Sequence, residues 1–341
     1  MYIHIYTRLE NGIRLMVSVH VNDQLIASNN RETLEEFKKE LNAQFECKDQ
    51  GPIGYFLGIN IYWDRPNRKM YLSQEHYLES ILERFGEVGK PCKTSLPSDW
   101  KPKSATDAKF DKARDKPFPS LAGSILYAAT VTRPDLAYPA SVLCRYISKW
   151  SLDHWKAAKH LLRYIRGTSD LCLTFDAHGS KRLLLGWADA DWGGCMDTQR
   201  STTGFVFSTY GGIVAWKSKR QPTVALLTTQ AELLASTEAG KEAIWLRQLL
   251  DDLGLDSTKE ATVIKNDNTG AIQLGKHQHG FKVNKAFDLR AQWIRENQEA
   301  KVIKLEHVDT LANQADLLTK GFTADRLRQL QRLVGLEKRD G

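Results

Sequence analysis

Arg182-Leu-Leu-Leu-Gly-Trp-Ala188 runs straight into Asp189-Ala-Asp191-Trp-Gly193. A short apolar run bounded by polar turn residues predicts a strand, and Asp189 falls at its end. Outward from it the pattern is ordered. Strands are predicted at Gly204–Ser208 and Gly212–Lys217, a long helix from about Gln230 to Leu253, a strand at Thr262–Lys265 and a short helix near Thr269–Leu274. A helix over about Asp288–Glu299, a strand at Val302–Val308 and a final helix at Leu311–Thr319 complete it. Three meandering strands followed by alternating helices and strands predict a mixed sheet with helices packed on it.

Four acids sit at telling places in that pattern. Asp189 ends the first strand, Glu232 lies in the first turn of the long helix, Asp267 follows the fourth strand and Asp316 lies in the final helix. Strand ends and a helix start can meet at one edge of a sheet. Carboxylates gathered there repel one another unless cations sit between them. Oxygen ligands suit hard divalent ions, and two such ions can promote cleavage of a phosphodiester. The chain has 41 acids, so spacing alone does not single out this quartet. An acid at a helix start also has a dipole reason to be there. Asp191 shares the strand face of Asp189 and is its nearest rival.

Upstream, Leu15, Val17, Val19 and Val21 alternate with Met16, Ser18 and His20, and Asn22-Asp23 leads into Gln24-Leu25-Ile26-Ala27, which predicts a β-hairpin. A helix carries Leu34, Phe37, Leu41 and Phe45 on one face. Tyr55–Tyr62 predicts a buried strand, Met70–Leu72 a short one, and Tyr77–Phe85 an amphipathic helix closed by Gly86. Leu96–Pro117 shows no period and is rich in Lys, Asp, Ser, Ala and Pro, so it predicts a linker. Helices follow at Leu121–Thr130, Pro134–Ser148 and Leu152–Gly167. The last separates an apolar stripe (Trp155, Ala158, Leu162, Ile165) from a basic one (Lys156, Lys159, His160, Arg163, Arg166). That basic stripe is either a solvated face or a phosphate-contacting one. Lys217, Lys219 and Arg220, beside Trp216, form a second basic cluster.

The 341 residues are 42% hydrophobic and 26% charged, which fits a folded chain and not a disordered one. No apolar run approaches the roughly 18 residues of a membrane span, and no secretory signal is visible at the start. The five cysteines, Cys47, Cys92, Cys144, Cys172 and Cys195, are scattered without a Cys-x-x-Cys pair. A disulfide framework and a structural zinc site are thereby disfavoured. A net charge of +7 leans towards polyanionic partners.

The stretches Tyr55-Phe-Leu-Gly-Ile, Leu72-Ser-Gln-Glu-His-Tyr, Thr132-Arg-Pro-Asp-Leu-Ala and His154-Trp-Lys-Ala-Ala-Lys occur in order. So do Ala188-Asp-Ala-Asp-Trp-Gly, Ser201-Thr-Thr-Gly, Ser218-Lys-Arg-Gln-Pro-Thr-Val-Ala, Lys241-Glu-Ala-Ile-Trp-Leu-Arg and Ala315-Asp-Leu-Leu-Thr-Lys. With them the chain, from about Tyr6 to Leu336, resembles the C-terminal part of the Pol polyprotein of Ty1/copia-type LTR retrotransposons. The resemblance implies an α+β chain, with an incomplete reverse transcriptase followed by a ribonuclease H-like mixed-sheet domain. It implies a reverse transcriptase remnant over 1–95 (palm hairpin and thumb-like part), a linker over 96–117 and a helical connection-like segment over 118–178. A ribonuclease H-like domain over 181–322, expected to fold on its own, and a C-terminal tail over 323–341 complete the expected order.

The resemblance also implies roles. The family's ribonuclease H acids fall on Asp189, Glu232 (in Gln230-Ala-Glu-Leu), Asp267 (in Asn266-Asp-Asn) and Asp316. They are expected to hold two Mg²⁺ or Mn²⁺ ions and cut the RNA strand of an RNA–DNA hybrid. Lys156, Lys159, Arg163, Arg166, Lys217, Lys219 and Arg220 are the expected phosphate contacts. Other Pol or Gag products are further candidate partners, no membrane is expected, and the cytoplasm or nucleus is the expected place. Two departures cut against activity. The family's Tyr-Val-Asp-Asp polymerase turn reads His20-Val21-Asn22-Asp23 here, and an amide binds Mg²⁺ less well than a carboxylate. The rest of the palm is expected to precede residue 1, so no polymerase activity is expected. The family's Arg-Thr-Lys-His-Ile-Asp-Ile-Arg-Tyr-His reads Val283-Asn-Lys-Ala-Phe-Asp-Leu-Arg-Ala-Gln292, without the histidines at 286 and 292. The alternative expectation is a non-catalytic nucleic-acid-binding remnant.

Overall fold

In the computed structural model, described over residues 4–86, 89–178, 184–255, 259–276 and 285–339, the chain builds three sheets. The first is antiparallel: β1 (His4–Glu10), β2 (Ile13–His20) and β3 (Asp23–Ser28), followed by α1 (Arg31–Gln44). The turn joining β2 to β3 is Val21-Asn22, closed by the His20–Asp23 pair, so the polymerase-like motif centres on an exposed two-residue hairpin turn beside a buried His20. Val21 takes φ 53°, a left-handed conformation uncommon for a β-branched residue. Strand β1 adds an edge that the alternation pattern does not reveal, because all of its residues are exposed.

The run Tyr55–Tyr62 does not form one buried strand. Leu57 and Gly58 both adopt positive φ (50° and 84°), which suits a tight hairpin turn. The run therefore splits into β4 (Tyr55–Phe56) and β5 (Ile59–Asp64), with Tyr55 exposed. Next come β6 (Lys69–Ser73) and α2 (Glu75–Arg84). Residues 96–117 hold only one short helix, α3 (Asp107–Asp111), and are mostly exposed, yet they touch the helices at fixed points. Ala113 is fully buried, Trp150 Nε1 donates to its carbonyl (3.1 Å), and Tyr146 Oη donates to the Pro102 carbonyl (3.1 Å). This segment is a strap over the helices rather than a free tether.

The helical part comprises α4 (Phe118–Val131), α5 (Ala137–Cys144) and α6 (Leu152–Arg166). Helix α5 ends short of the expected Ser148, in turns. Helix α6 opens with a capping box in which Ser151 and His154 bond reciprocally, with His154 standing where Glu or Gln is usual. Its apolar stripe is buried as the spacing requires, with Ala158, Leu162 and Ile165 at 0% exposure.

Strand β7 (Leu171–Asp176) leads to the third sheet: β8 (Leu185–Asp191), β9 (Thr202–Thr209), β10 (Gly212–Arg220), α7 (Thr228–Asp252), β11 (Thr262–Asn266), α8 (Thr269–Leu274), α9 (Lys285–Glu299) and β12 (Ile303–His307). Its strand order is β10-β9-β8-β11-β12, antiparallel as far as β8 and parallel from β8 to β12. The mixed α+β class expected from the sequence is the one that forms. The expected boundary at residue 181 lies outside the described residues.

Two further placements differ from expectation. The predicted helix Leu311–Thr319 is a pair of 3₁₀ turns, Thr310–Ala312 and Gln314–Leu318, because Asp309 and Asn313 each cap a new turn with a side-chain oxygen. Residues 323–339 are no loose tail: α10 (Ala324–Leu333) packs down, and β13 (Leu336–Lys338) pairs antiparallel with β7. That pairing extends the second sheet to the order β13-β7-β6-β5-β4. One apolar cluster runs through both halves, joining Leu78, Leu121 and Leu161 to Trp187, Val206 and Leu330.

A buried ion pair lies at this junction. Arg133 and Asp135 form a two-pronged contact (2.9 and 2.8 Å) with both side chains at 0% exposure. Arg133 also donates to the Thr168 carbonyl and hydroxyl (2.9 Å each). Asp135 accepts from Tyr164 Oη (2.5 Å) and, more weakly, from Gln331 Nε2 (3.3 Å). Burial alone would push the Asp135 carboxyl up, but the Arg133 guanidinium outweighs it and holds the group below its usual range. Removing one partner of such a pair strands a buried charge. Arg133→Met is expected to lower the stability read from urea unfolding by about 3–5 kcal/mol. Gln331→Leu, which leaves the ion pair intact, is expected to cost about 1–3 kcal/mol.

Candidate metal centre

The parallel pairing of β8 with β11 sets the strand ends side by side. Asp189 sits on β8, inward and 3% exposed. Asp267 follows β11 and is half-buried. Glu232 projects from α7, which starts at Thr228, so Glu232 stands in the second turn and not the first. Its 6% exposure reflects packing of α7 onto the sheet rather than attraction to the helix end. One carboxylate oxygen from each of these three acids lies within 4.8 Å of the other two.

Neighbouring polar groups orient each acid. Thr319 Oγ1 donates to Asp189 Oδ2 (2.5 Å). Asn266 Nδ2 donates to Glu232 Oε2 (3.0 Å), and Thr310 Oγ1 to Asp267 Oδ2 (2.8 Å). Asn313 ties the 3₁₀ turn to β8 by donating to the Ala188 carbonyl (3.1 Å). The turn approaches so closely that Gly204, paired with Asp189 across β8 and β9, cannot carry a side chain. A Cβ there would lie 2.8 Å from the Ala315 carbonyl and 2.7 Å from Thr319 Cγ2.

Asp316, the fourth expected acid, is not part of the three-acid cluster. It is 2% exposed, and both of its oxygens are engaged. Lys320 Nζ lies 2.7 Å from Oδ1 and Arg326 Nη2 3.0 Å from Oδ2. Asp191 is also held elsewhere: it accepts from the Thr202 backbone N–H and so braces the β8–β9 connection. Lys320, Arg326, Thr319, Asn266 and Asn313 were not foreseen as site residues. Only the four-residue spacing of Asp316 and Lys320 offered a signal.

Of the expected phosphate contacts, Lys217 and Lys219 are exposed on edge strand β10, while Arg220 is half-buried with Nη1 3.6 Å from Cys195 Sγ. Trp216 turns inward, its Nε1 donating to the Ala129 carbonyl (2.7 Å). On α6, Lys156 is exposed, but its three companions hold backbone carbonyls. Lys159 reaches Phe85 (3.0 Å), Arg163 reaches Lys90 (2.7 Å) and Arg166 reaches Gly89 (3.0 Å). Val283, Asn284 and the side chains of 285–288, where one lost histidine would stand, lie outside the described residues. At the other lost position, Gln292 donates to Glu296 (2.9 Å).

The electrostatics favour a cation. Burial, then Asp316 and Asp267, push the Asp189 carboxyl up to about 7, against the pull of Lys320 and Thr319. Burial and Asp189 push Glu232 well above the usual carboxylate range. An all-oxygen set of crowded acids, with Asp189 and Glu232 inclined to hold protons, fits a hard divalent ion, which would take the place of those protons. Among the described residues no helix is long and apolar enough to cross a membrane.

An acid whose folded value is raised keeps its proton after the unfolded chain has lost it, so it weakens the fold as pH rises from about 4 to about 7. With divalent ions chelated, the urea midpoint is expected to fall over that range. Asp189→Asn is expected to flatten part of the fall and to stabilise the chelated protein at pH 8 by on the order of 1–3 kcal/mol.

Comparison with known proteins bears on the family and the fold. The family described as "Reverse transcriptase (RNA-dependent DNA polymerase)" matches residues 2–97. The chain is 37% identical to the retrovirus-related Pol polyprotein from transposon TNT 1-94 of Nicotiana tabacum, over 97% of its own length and 25% of that protein's. It is 30% identical to the protein described as "Putative transposon Ty5-1 protein YCL074W" of Saccharomyces cerevisiae, over 70% of its own length and 77% of that protein's. The chain thus spans about a quarter of the longer curated relative it matches. Among solved structures, the foamy viral protease-reverse transcriptase in complex with dsDNA covers 86% of this chain and 55% of its own, with TM-score 0.52 and 15% identity. At that identity the likeness speaks for fold alone.

Proposed function

Because the chain belongs to the Ty1/copia-type family of retrotransposon Pol proteins, we propose that it is a metal-dependent ribonuclease H that cleaves the RNA strand of RNA–DNA hybrids and does not synthesise DNA. The observation that carries this reading is the convergence of Asp189, Glu232 and Asp267 at one sheet edge. The site belongs to the stretch 181–322, with 1–95 as the reverse transcriptase part, 96–117 as its strap and 118–178 as the connection-like segment.

Mg²⁺ or Mn²⁺ ions, when bound, would stabilise the charge that develops on the phosphodiester during hydrolysis. The chain's own residues supply the rest. Asp189, Glu232 and Asp267 present negative oxygens in a fixed cluster. Thr319, Asn266 and Thr310 hold those oxygens in orientation and lower the cost of ordering them at the reaction. Lys217 and Lys219 are exposed cations on the same sheet and the preferred phosphate contacts. Lys159, Arg163 and Arg166 serve the fold first, which leaves Lys156 as the free cation among the four proposed on α6.

The polymerase half is read as silent. Asn22 replaces a carboxylate, and among the described residues the three-acid cluster at Asp189 is the one candidate metal group. The second reading, a binding protein without catalysis, is favoured by one observation: Asp316 has both oxygens in ion pairs.

Hybrid cleavage by the purified chain in Mg²⁺ and in Mn²⁺ tests the proposal. Asp189→Asn and Asp267→Asn are each expected to lower the rate by on the order of 10³-fold, whereas Asp191→Asn is expected to be mild. Tight hybrid binding with no cleavage under either metal would select the binding reading. Primer extension on an RNA template is expected to stay at background. Hybrid affinity is expected to fall steeply between low and moderate salt, and Lys217→Gln with Lys219→Gln to reduce that slope by about two.

A further inference from the structure

The acid cluster carries its own counter-charge. Asp316 lies beside Asp189, and its two oxygens are held in different ways. Arg326, on α10, is 16% exposed and is fixed by the Thr310 and Leu311 carbonyls (3.1 and 2.8 Å) as well as by Asp316 Oδ2. Its neighbour Leu327 is buried, so this guanidinium is anchored in the fold. Lys320 is different. Its side chain is 45% exposed, and Asp316 Oδ1 is its hydrogen-bond partner. Its ammonium also feels Asp189 and Asp267, with Asp189 the stronger. One oxygen of Asp316 is therefore permanently committed, and the other is covered by a cation on a flexible stem.

We infer that Lys320 is an exchangeable resident cation on the Asp189–Asp316 side of the cluster, so that the centre takes one divalent ion readily and a second only when Lys320 swings out. This inference rests on the metal-centre reading above. A divalent ion brought between Asp189 and Asp316 would meet the ammonium within a few ångströms, and like charges at that range repel strongly in a half-buried setting. A second ion must also compete for the Oδ1 atom that Lys320 covers. The first ion, held by Asp189, Glu232 and Asp267, does not need that atom. The half-buried ring beside the stem, Phe322, lies 5.6 Å from the ammonium and offers it a surface on leaving.

Mn²⁺ binding, counted by the electron paramagnetic resonance of free Mn²⁺ and by titration calorimetry on the full chain, tests this without recourse to activity. The wild type is expected to bind one ion tightly and a second much more weakly. Lys320→Met keeps the length of the stem and removes the charge. It is expected to tighten the second ion by at least about tenfold, the scale of one unit charge removed from a half-buried site. Lys320→Arg is expected to behave as wild type, and Asp316→Asn to lose the second ion and keep the first. Circular dichroism is expected to show all three variants folded. Two equal sites in the wild type, or a second ion blind to Lys320→Met, would overturn the inference and leave the metal centre standing. No Asp189-dependent ion in either wild type or Lys320→Met would overturn both.

Discussion

The contact between Arg133 and Asp135 is the constraint on which the rest of the chain is arranged. A guanidinium and a carboxylate with no water around them must satisfy every donor and acceptor internally. They do so by recruiting Thr168 from the end of α6, Tyr164 from its buried face and Gln331 from α10. Three segments far apart in sequence are thereby fixed in one geometry. The 3₁₀ turn carrying Asp316 comes just before α10, and α10 also supplies Arg326. The placement of the fourth acid thus traces back to a polar knot that takes no part in the chemistry.

The acid cluster shows the opposite balance. Asp189 and Glu232 are buried against each other, and burial raises both even though Lys320 pulls Asp189 the other way. Such a cluster costs stability in the empty protein and returns it when a cation arrives. Strain of this kind persists because the surroundings over-determine it: β8 and β11 fix two acids, α7 fixes the third, and Gly204 lets the 3₁₀ turn close over them.

The sequence made the strands of the third sheet and the long helix legible, because their apolar spacing is strong and one of their two core clusters is local. It pointed to Asp189, Glu232 and Asp267 through strand ends and family motifs, and these three do meet. It misplaced what depends on backbone detail or on distant partners. The left-handed pair Leu57-Gly58 splits a run that reads as one strand, and the Asn313 cap turns a predicted helix into 3₁₀ geometry. Basic residues on α6 read as a phosphate stripe, since nothing local reveals that the 85–90 segment presents carbonyls to three of them. Lys320 and Arg326 escaped notice for the same reason: their significance lies in what they face.

Strand β13 closes a sheet begun more than a hundred residues earlier, since Leu336 pairs with Leu173. Contacts of such long range are slow to form, because loop closure must precede any gain from pairing. On a ribosome, β7 would emerge and wait with one edge open through the synthesis of the whole third sheet. An open edge is a template for pairing with another chain. Folding of this protein is therefore most exposed to misassembly in the interval before its last strand arrives, and anything that shields β7 during that interval would act as a chaperone for the entire chain.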